Sequence, residues 1–194
     1  MAIAYTPGEP SGIGPDLVIM YAQKSIKKNL LVYCDPDVLI DRAKQLNLTI
    51  SLKESNSEIC NKSELNIYPI RTNIKVKPGK LEPNNAAYVL NTLNQATKDC
   101  LSGRCDGLIT GPVNKGVINE SGVLFSGHTE FLADLSGVSR TVMLLATKEL
   151  KVALATTHLP LKEVSSHITK KSLTEVITII KNSFIYFGIN NPHI

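Results

Sequence analysis

Four short polar clusters hold most of the residues with chemical reach. The first, Thr6 to Pro15, contains Gly8, Gly12 and Gly14. Glycines there let backbone N–H groups approach a phosphate or a nicotinamide cofactor closely, so Gly12 and Gly14 are candidate cofactor contacts; the plainer reading is a tight strand-to-helix turn needing positive φ. The spacing is neither Gly-x-Gly-x-x-Gly nor a Walker loop. The second cluster, Gly111 to Lys115, offers an ammonium group to a phosphate or carboxylate, or to solvent alone. In the third, Gly127-His128-Thr129-Glu130, an imidazole, a hydroxyl and helix N-terminal amides suit a phosphate monoester, and the same residues would also serve as a helix cap. The fourth, Thr156-Thr157-His158, ends in a neutral imidazole that suits a metal ion, although one histidine does not make a site. His167, on an amphipathic stretch, and His193, near the last residue, read as structural or solvated. Glu9 and Glu130 form no acid–base pair, so the catalytic residues stay unassigned.

These clusters need elements to position them. Ala2 to Thr6 reads as a strand, and after Pro15 the residues Asp16 to Ile26 carry helical spacing. Leu30 to Cys34 is a second strand, and Asp35-Pro36 signals a helix bearing Val38, Leu39, Ala43 and Leu46. This β-α-β rhythm implies a parallel sheet. Thr49 to Leu52 and Asn66 to Ile70 read as strands around a polar surface loop, Glu54 to Glu64. Pro83 to Leu101 is a helix with one apolar stripe from Ala86 to Leu101, stopped at Gly103. Gly107 to Thr110 reads as a buried strand, and Phe131, Leu132 and Leu135 as a short helix. Thr141 to Ala146 and Val152 to Thr156 suit a hairpin that would make the sheet mixed, and Thr169 to Phe187 a closing helix. In open α/β sheets, ligands bind outside the carboxyl ends of the strands, so parallel strands would set the first, second and fourth clusters on one rim.

The chain has 194 residues, 43% hydrophobic and 20% charged, with a net charge of +4. The basic residues are scattered, which argues against nucleic acid; the pairs Lys27-Lys28 and Lys170-Lys171 fit solvated helix faces. No apolar run approaches a membrane span and no signal-peptide pattern opens the chain, so the expected compartment is cytoplasmic, with no membrane partner. Cys34, Cys60, Cys100 and Cys105 match neither a zinc ribbon nor a redox pair and read as reduced structural thiols.

Together, Thr-Pro-Gly-Glu-Pro-Ser-Gly-Ile-Gly-Pro from Thr6, Ile-Thr-Gly-Pro-Val-Asn-Lys from Ile109, Gly-His-Thr-Glu from Gly127 and Ala-Thr-Thr-His-Leu-Pro-Leu from Ala155 resemble 4-hydroxythreonine-4-phosphate dehydrogenases. Ser11 stands where many members carry alanine. The resemblance implies an α/β/α fold with a mixed, mostly parallel sheet, like that of isocitrate and isopropylmalate dehydrogenases, truncated here at the C-terminus. It implies a homodimer in the full-length form, and oxidation of 4-phosphooxy-L-threonine by NAD or NADP in pyridoxal phosphate biosynthesis. A divalent metal (zinc, magnesium or cobalt) held by three histidines would polarise the hydroxyl. Residue by residue, His158 matches one metal ligand, and His128 and Thr129 match the pair that contacts substrate. The other two histidines and the Lys, Asn and Arg of the pocket lie beyond Ile194 in the family. Residues 1–194 are therefore expected to be one incomplete family domain, with a possible lobe boundary near 112–126. Two alternatives stay open: a paralogue acting on another phosphorylated four-carbon hydroxy acid, and a catalytically incompetent fragment.

Overall fold

The computed structural model describes residues 2–24, 29–54 and 60–194. Lys27-Lys28 and residues 55–59 of the Glu54 to Glu64 loop lie outside the described residues. The chain forms two compact units, Met1–Val138 and Ser139–Ile194, and the segment 112–126 falls inside the first.

The first unit repeats a strand-to-helix step. It runs β1 (Ala2–Thr6), α1 (Gly14–Ala22), β2 (Leu30–Cys34), α2 (Pro36–Gln45), β3 (Ser51–Lys53) and β4 (Glu64–Pro69). A 3-10 turn (Pro83–Asn85) then leads into α3 (Ala86–Leu101), β5 (Cys105–Thr110), α4 (Lys115–Glu120) and α5 (His128–Ser136). The strands lie in the order β3-β4-β2-β1-β5 and every pairing is parallel, so all their carboxyl ends meet one rim.

Side-chain alternation along the strands builds the layers. Tyr5, Val32 and Cys34 face α1 and α2 through Val18, Ile19, Ala22, Leu39 and Ala43. Ala2, Ala4, Leu31 and Tyr33 face the other way, onto Ala96 of α3. Tyr33, Leu31, Leu39 and Leu93 are wholly buried, each contributing roughly 1.5–3 kcal/mol. A further cluster ties the rim to α3: Tyr88, Val89 and Leu93 pack against Ile118 of α4 and Phe125.

Two features differ from the expected pattern. On α3 the stripe ends early: Leu101 is 60% exposed, whereas Tyr88, Thr92 and Asp99 are buried. Asp99 tolerates this because the Tyr33 hydroxyl donates to it at 2.6 Å and Arg104 pairs with it at 3.2 Å. β5 is only partly buried, with Ile109 52% exposed, because it is the last strand in the order.

The second unit is a hairpin and two helices. β6 (Leu144–Ala146) pairs antiparallel with β7 (Lys151–Ala153), followed by α6 (Leu161–His167) and α7 (Lys170–Ser183) with a final 3-10 turn, Phe184–Phe187. Antiparallel pairing is thus present, but in a separate two-stranded sheet. Val176, Ile180 and Phe184 form this unit's buried cluster with Val142, Ala153 and Ile189. Lys170-Lys171 are exposed in the first turn of α7, behind a Thr169–Ser172 capping box.

All four cysteines are free thiols, and burial pushes Cys34 up and Cys100 up to about 11, which disfavours the reactive thiolate. No helix among the described residues is long and apolar enough to cross a membrane.

Candidate functional site

The loops after β1 and β5 interlock, because these strands are parallel neighbours. The Glu9 N–H donates to the Pro112 carbonyl at 2.9 Å, and the Gly111 N–H to the Thr6 carbonyl at 2.6 Å. Gly8 sits at φ +78°, and a Cβ there would lie 2.3 Å from the Pro112 oxygen. At Gly14 a Cβ would lie 1.7 Å from the Pro7 oxygen, and at Gly12 3.3 Å from the Glu9 oxygen. Positive φ is therefore needed at Gly8, while Gly14 is needed for close approach. This packing accounts for Gly8 and Gly14, while Gly12 is only partly buried. Glu9 is buried, with Oε1 accepting from the Ser11 N–H at 3.0 Å and its hydroxyl at 2.7 Å.

From this rim the chain enters α4, whose cap Asn114 accepts from the Val117 N–H at 3.1 Å. Lys115 then reaches across to Gly127, the residue before α5: a Cβ on Gly127 would lie 3.1 Å from Nζ and 3.0 Å from Glu130 Oε2. The start of α5 is anchored by Phe125, which is 2% exposed and stacks edge-on against His128 at 6.1 Å. Asn119 Oδ1 fixes the approach by accepting from the Phe125 N–H at 2.8 Å. Nothing in the residue pattern marks Asn119 or Phe125 for this role, since their contacts arise only when α4 and α5 meet α3.

His128 is half-buried, and its Nε2 is enclosed without a hydrogen-bond partner. Burial first, and the Lys115 charge second, lower its pKa, so the ring favours the neutral form. Thr129 and Glu130 are exposed beside it. Neutral imidazole, hydroxyl, ammonium and the free amides of α5 together offer directed donors to an anion.

His158 belongs to the second unit, on the loop between β7 and α6, exposed and at φ 57°. Two of the three expected clusters share the rim of the parallel sheet; the third does not belong to it, because β7 pairs in the separate hairpin. His167 ends α6 with Nδ1 2.8 Å from the Glu163 carbonyl oxygen, and His193 is exposed near the last residue. Among the described residues no three His, Cys, Asp or Glu gather into a metal-binding group. His158 thus offers a single imidazole, and the residues present do not by themselves fit a catalytic ion.

A cleft of about 860 Å³ in the first unit lies elsewhere, beyond the carboxyl ends of β2 and β4. Its most buried carboxylate, Asp35, is already engaged by Arg71 at 3.1 Å, the Thr72 N–H at 2.8 Å and the Asp37 N–H at 3.0 Å. With these partners saturated, the His128 cluster is the better candidate for ligand chemistry.

The family model described as "Pyridoxal phosphate biosynthetic protein PdxA" matches residues 26–194. The chain belongs to the PdxA family. It is 50% identical over 196 residues to a 4-hydroxythreonine-4-phosphate dehydrogenase of Saccharophagus degradans, covering 99% of this chain and 58% of that protein. A Yersinia pestis protein of the same name is 49% identical over 197 residues, with 99% and 60% covered. The fold superposes with TM-score 0.88 on a crystal structure of 4-hydroxythreonine-4-phosphate dehydrogenase from Klebsiella pneumoniae, at 23% identity, covering 99% of this chain and 62% of that one. The chain thus spans about three-fifths of the length of the PdxA relatives it matches.

Proposed function

We propose that this chain supplies the substrate-holding portion of an NAD(P)-dependent, metal-dependent oxidoreductase. The reaction oxidises 4-phosphooxy-L-threonine to 2-amino-3-oxo-4-phosphooxybutanoate, which decarboxylates to 3-amino-2-oxopropyl phosphate, in pyridoxal 5'-phosphate biosynthesis. The observation that carries this reading is the convergence of Lys115, Gly127 and the unpartnered His128 at the start of α5, in a PdxA-family chain. In this reading His128 and Thr129 bind the substrate at its phosphate end. The neutral ring and the hydroxyl fix its direction through hydrogen bonds, and the α5 amides favour its negative charge. His158 contributes one metal ligand in the complete enzyme, a cytoplasmic homodimer. NAD(P) accepts the hydride when bound, with Gly12 and Gly14 as its candidate contacts in the loop after β1.

The test is a chimera in which this chain replaces the matching segment of the Saccharophagus degradans protein. Substrate-dependent NAD(P)H formation is expected, with KM raised by replacing His128 and Thr129 with Ala and bound metal lost in His158→Ala. A folded, metal-loaded chimera that oxidises no 4-phosphooxy-L-threonine would sink the proposal, and turnover of a different phosphorylated four-carbon hydroxy acid would identify a paralogue. A second reading, that the 194 residues alone are inactive, is favoured by the solitary His158. Turnover by the purified chain with added zinc, magnesium or cobalt, within about tenfold of a full-length relative, would refute it, since one imidazole cannot hold a catalytic ion.

A further inference from the structure

We propose that Lys115 is a third contact of this site, supplying the positive charge that selects an anionic end of the substrate; this rests on the His128–Thr129 reading above. Lys115 is the first residue of α4, immediately after the Asn114 cap, so its backbone is fixed by the 3.1 Å bond to Val117. Its side chain is directed at the next helix along. A Cβ on Gly127 would lie 3.3 Å from Cε and 3.1 Å from Nζ, so the ammonium lies close beside the α5 start. Gly127 itself is buried. A side chain there would have to displace the end of Lys115 by a few tenths of an ångström.

The charge at this position is not held in a close ion pair. Among the described residues Lys115 forms no ion pair, although Glu130 Oε2 faces the same side of Gly127. A cation at the positive end of α5 is the unfavourable sign for the helix dipole. Beside it the imidazole is held neutral, so His128 adds direction but no charge. The groups around the α5 start divide accordingly: Lys115 from α4 is cationic, Glu130 from α5 is anionic, and Phe125, edge-on to His128, is apolar. A bound anion would give this ammonium a charge-assisted hydrogen bond. Lys115 then distinguishes a phosphate monoester from an uncharged hydroxyl compound, a task that His128 and Thr129 cannot perform alone.

The experiment is an NMR titration of the 194-residue chain with inorganic phosphate at constant ionic strength, reading the His128 and Thr129 amides and the His128 ring. Lys115→Met should weaken the phosphate response about tenfold and Lys115→Arg much less, as loss of one charge-assisted hydrogen bond implies. Without phosphate, the His128 pKa should rise in Lys115→Met, a shift that reports proximity independently of any ligand. Lys115 is exposed, so the rest of the spectrum should be preserved. An unchanged phosphate response in Lys115→Met, or an unmoved His128 pKa, would overturn the role of Lys115 and leave His128 and Thr129 in place. A wild-type chain whose His128 and Thr129 signals ignore phosphate would overturn the underlying site reading, and this inference with it.

Discussion

Replacing Gly8 with alanine places a methyl group 2.3 Å from the Pro112 oxygen and 2.9 Å from the Gly111 oxygen, at a residue whose φ is +78°. Three costs add. The left-handed conformation costs a residue with Cβ about 1–2 kcal/mol, and forced displacement of packed backbone costs about 1–3 kcal/mol. Parting the loops also endangers the 2.9 Å Glu9–Pro112 hydrogen bond, worth about 1 kcal/mol. Against them stands about 0.4–1 kcal/mol gained by restricting the unfolded chain. The sum is a loss of roughly 2–6 kcal/mol for Gly8→Ala. Gly103 isolates the conformational cost, since it has the same φ of +78° and a Cβ there would meet nothing within 4 Å. Gly103→Ala should cost only about 1 kcal/mol. Urea unfolding followed by tyrosine fluorescence reads the first unit, because Tyr5, Tyr21, Tyr33, Tyr68 and Tyr88 lie there and only Tyr186 lies in the second. A Gly8→Ala loss within about 1 kcal/mol of the Gly103→Ala loss would refute the interlocked-loop argument, because overpacking alone should exceed that margin.

Three other perturbations have defined outcomes. Asp35→Ala removes the α2 cap and the acceptor for Arg71 and Thr72, costing about 2–3 kcal/mol in urea unfolding at neutral pH. Burial works against the Asp35 carboxylate, but the Thr72 and Asp37 amides, the Thr72 hydroxyl and Arg71 outweigh it and hold its pKa below the usual range. Its contribution is therefore present above the unfolded value of about 4 and lost as pH falls through the folded one, so the gap between wild type and Asp35→Asn should close in acid. Phe125→Ala should cost about 3–4 kcal/mol, and NMR titration should show the His128 pKa climbing back toward its ordinary value as solvent reaches the ring. At His158, with φ 57°, the Gly variant should be more stable than the Ala variant by about 1 kcal/mol in thermal unfolding. Neither variant should retain metal in the chimera, so equal stabilities would remove the strain argument and retained metal the ligand assignment.

Much of this architecture is legible in residue order. The strand at Ala2–Thr6, the Asp35-Pro36 helix start and the α3 stripe follow from local periodicity and capping, which act within one element. The exposure of Ile109 was not legible, because a strand's place in the sheet depends on pairings distant in sequence. Nor was the separate hairpin sheet, since Leu144–Ala146 and Lys151–Ala153 specify pairing with each other and nothing about the parallel strands. At the site, His128 and Thr129 stand out by residue type, whereas the turn of Lys115 toward Gly127 is a tertiary contact between two helix starts. In the glycine loop, packing against Pro7 and Pro112 accounts for Gly8 and Gly14, which is the tight-turn reading that the composition also allows.

The central place of β1 in the sheet has a consequence for synthesis. β1 precedes both of its neighbours in the chain, and one of them, β5, begins only at Cys105. At roughly 5–20 residues per second, β1 waits roughly 5–20 s with that side unclaimed. During that interval Ala2, Ala4, Leu31 and Tyr33, which later pack beneath α3, remain without their cover. Slower translation between β4 and β5 should therefore lower the yield of folded protein, because it lengthens this exposure.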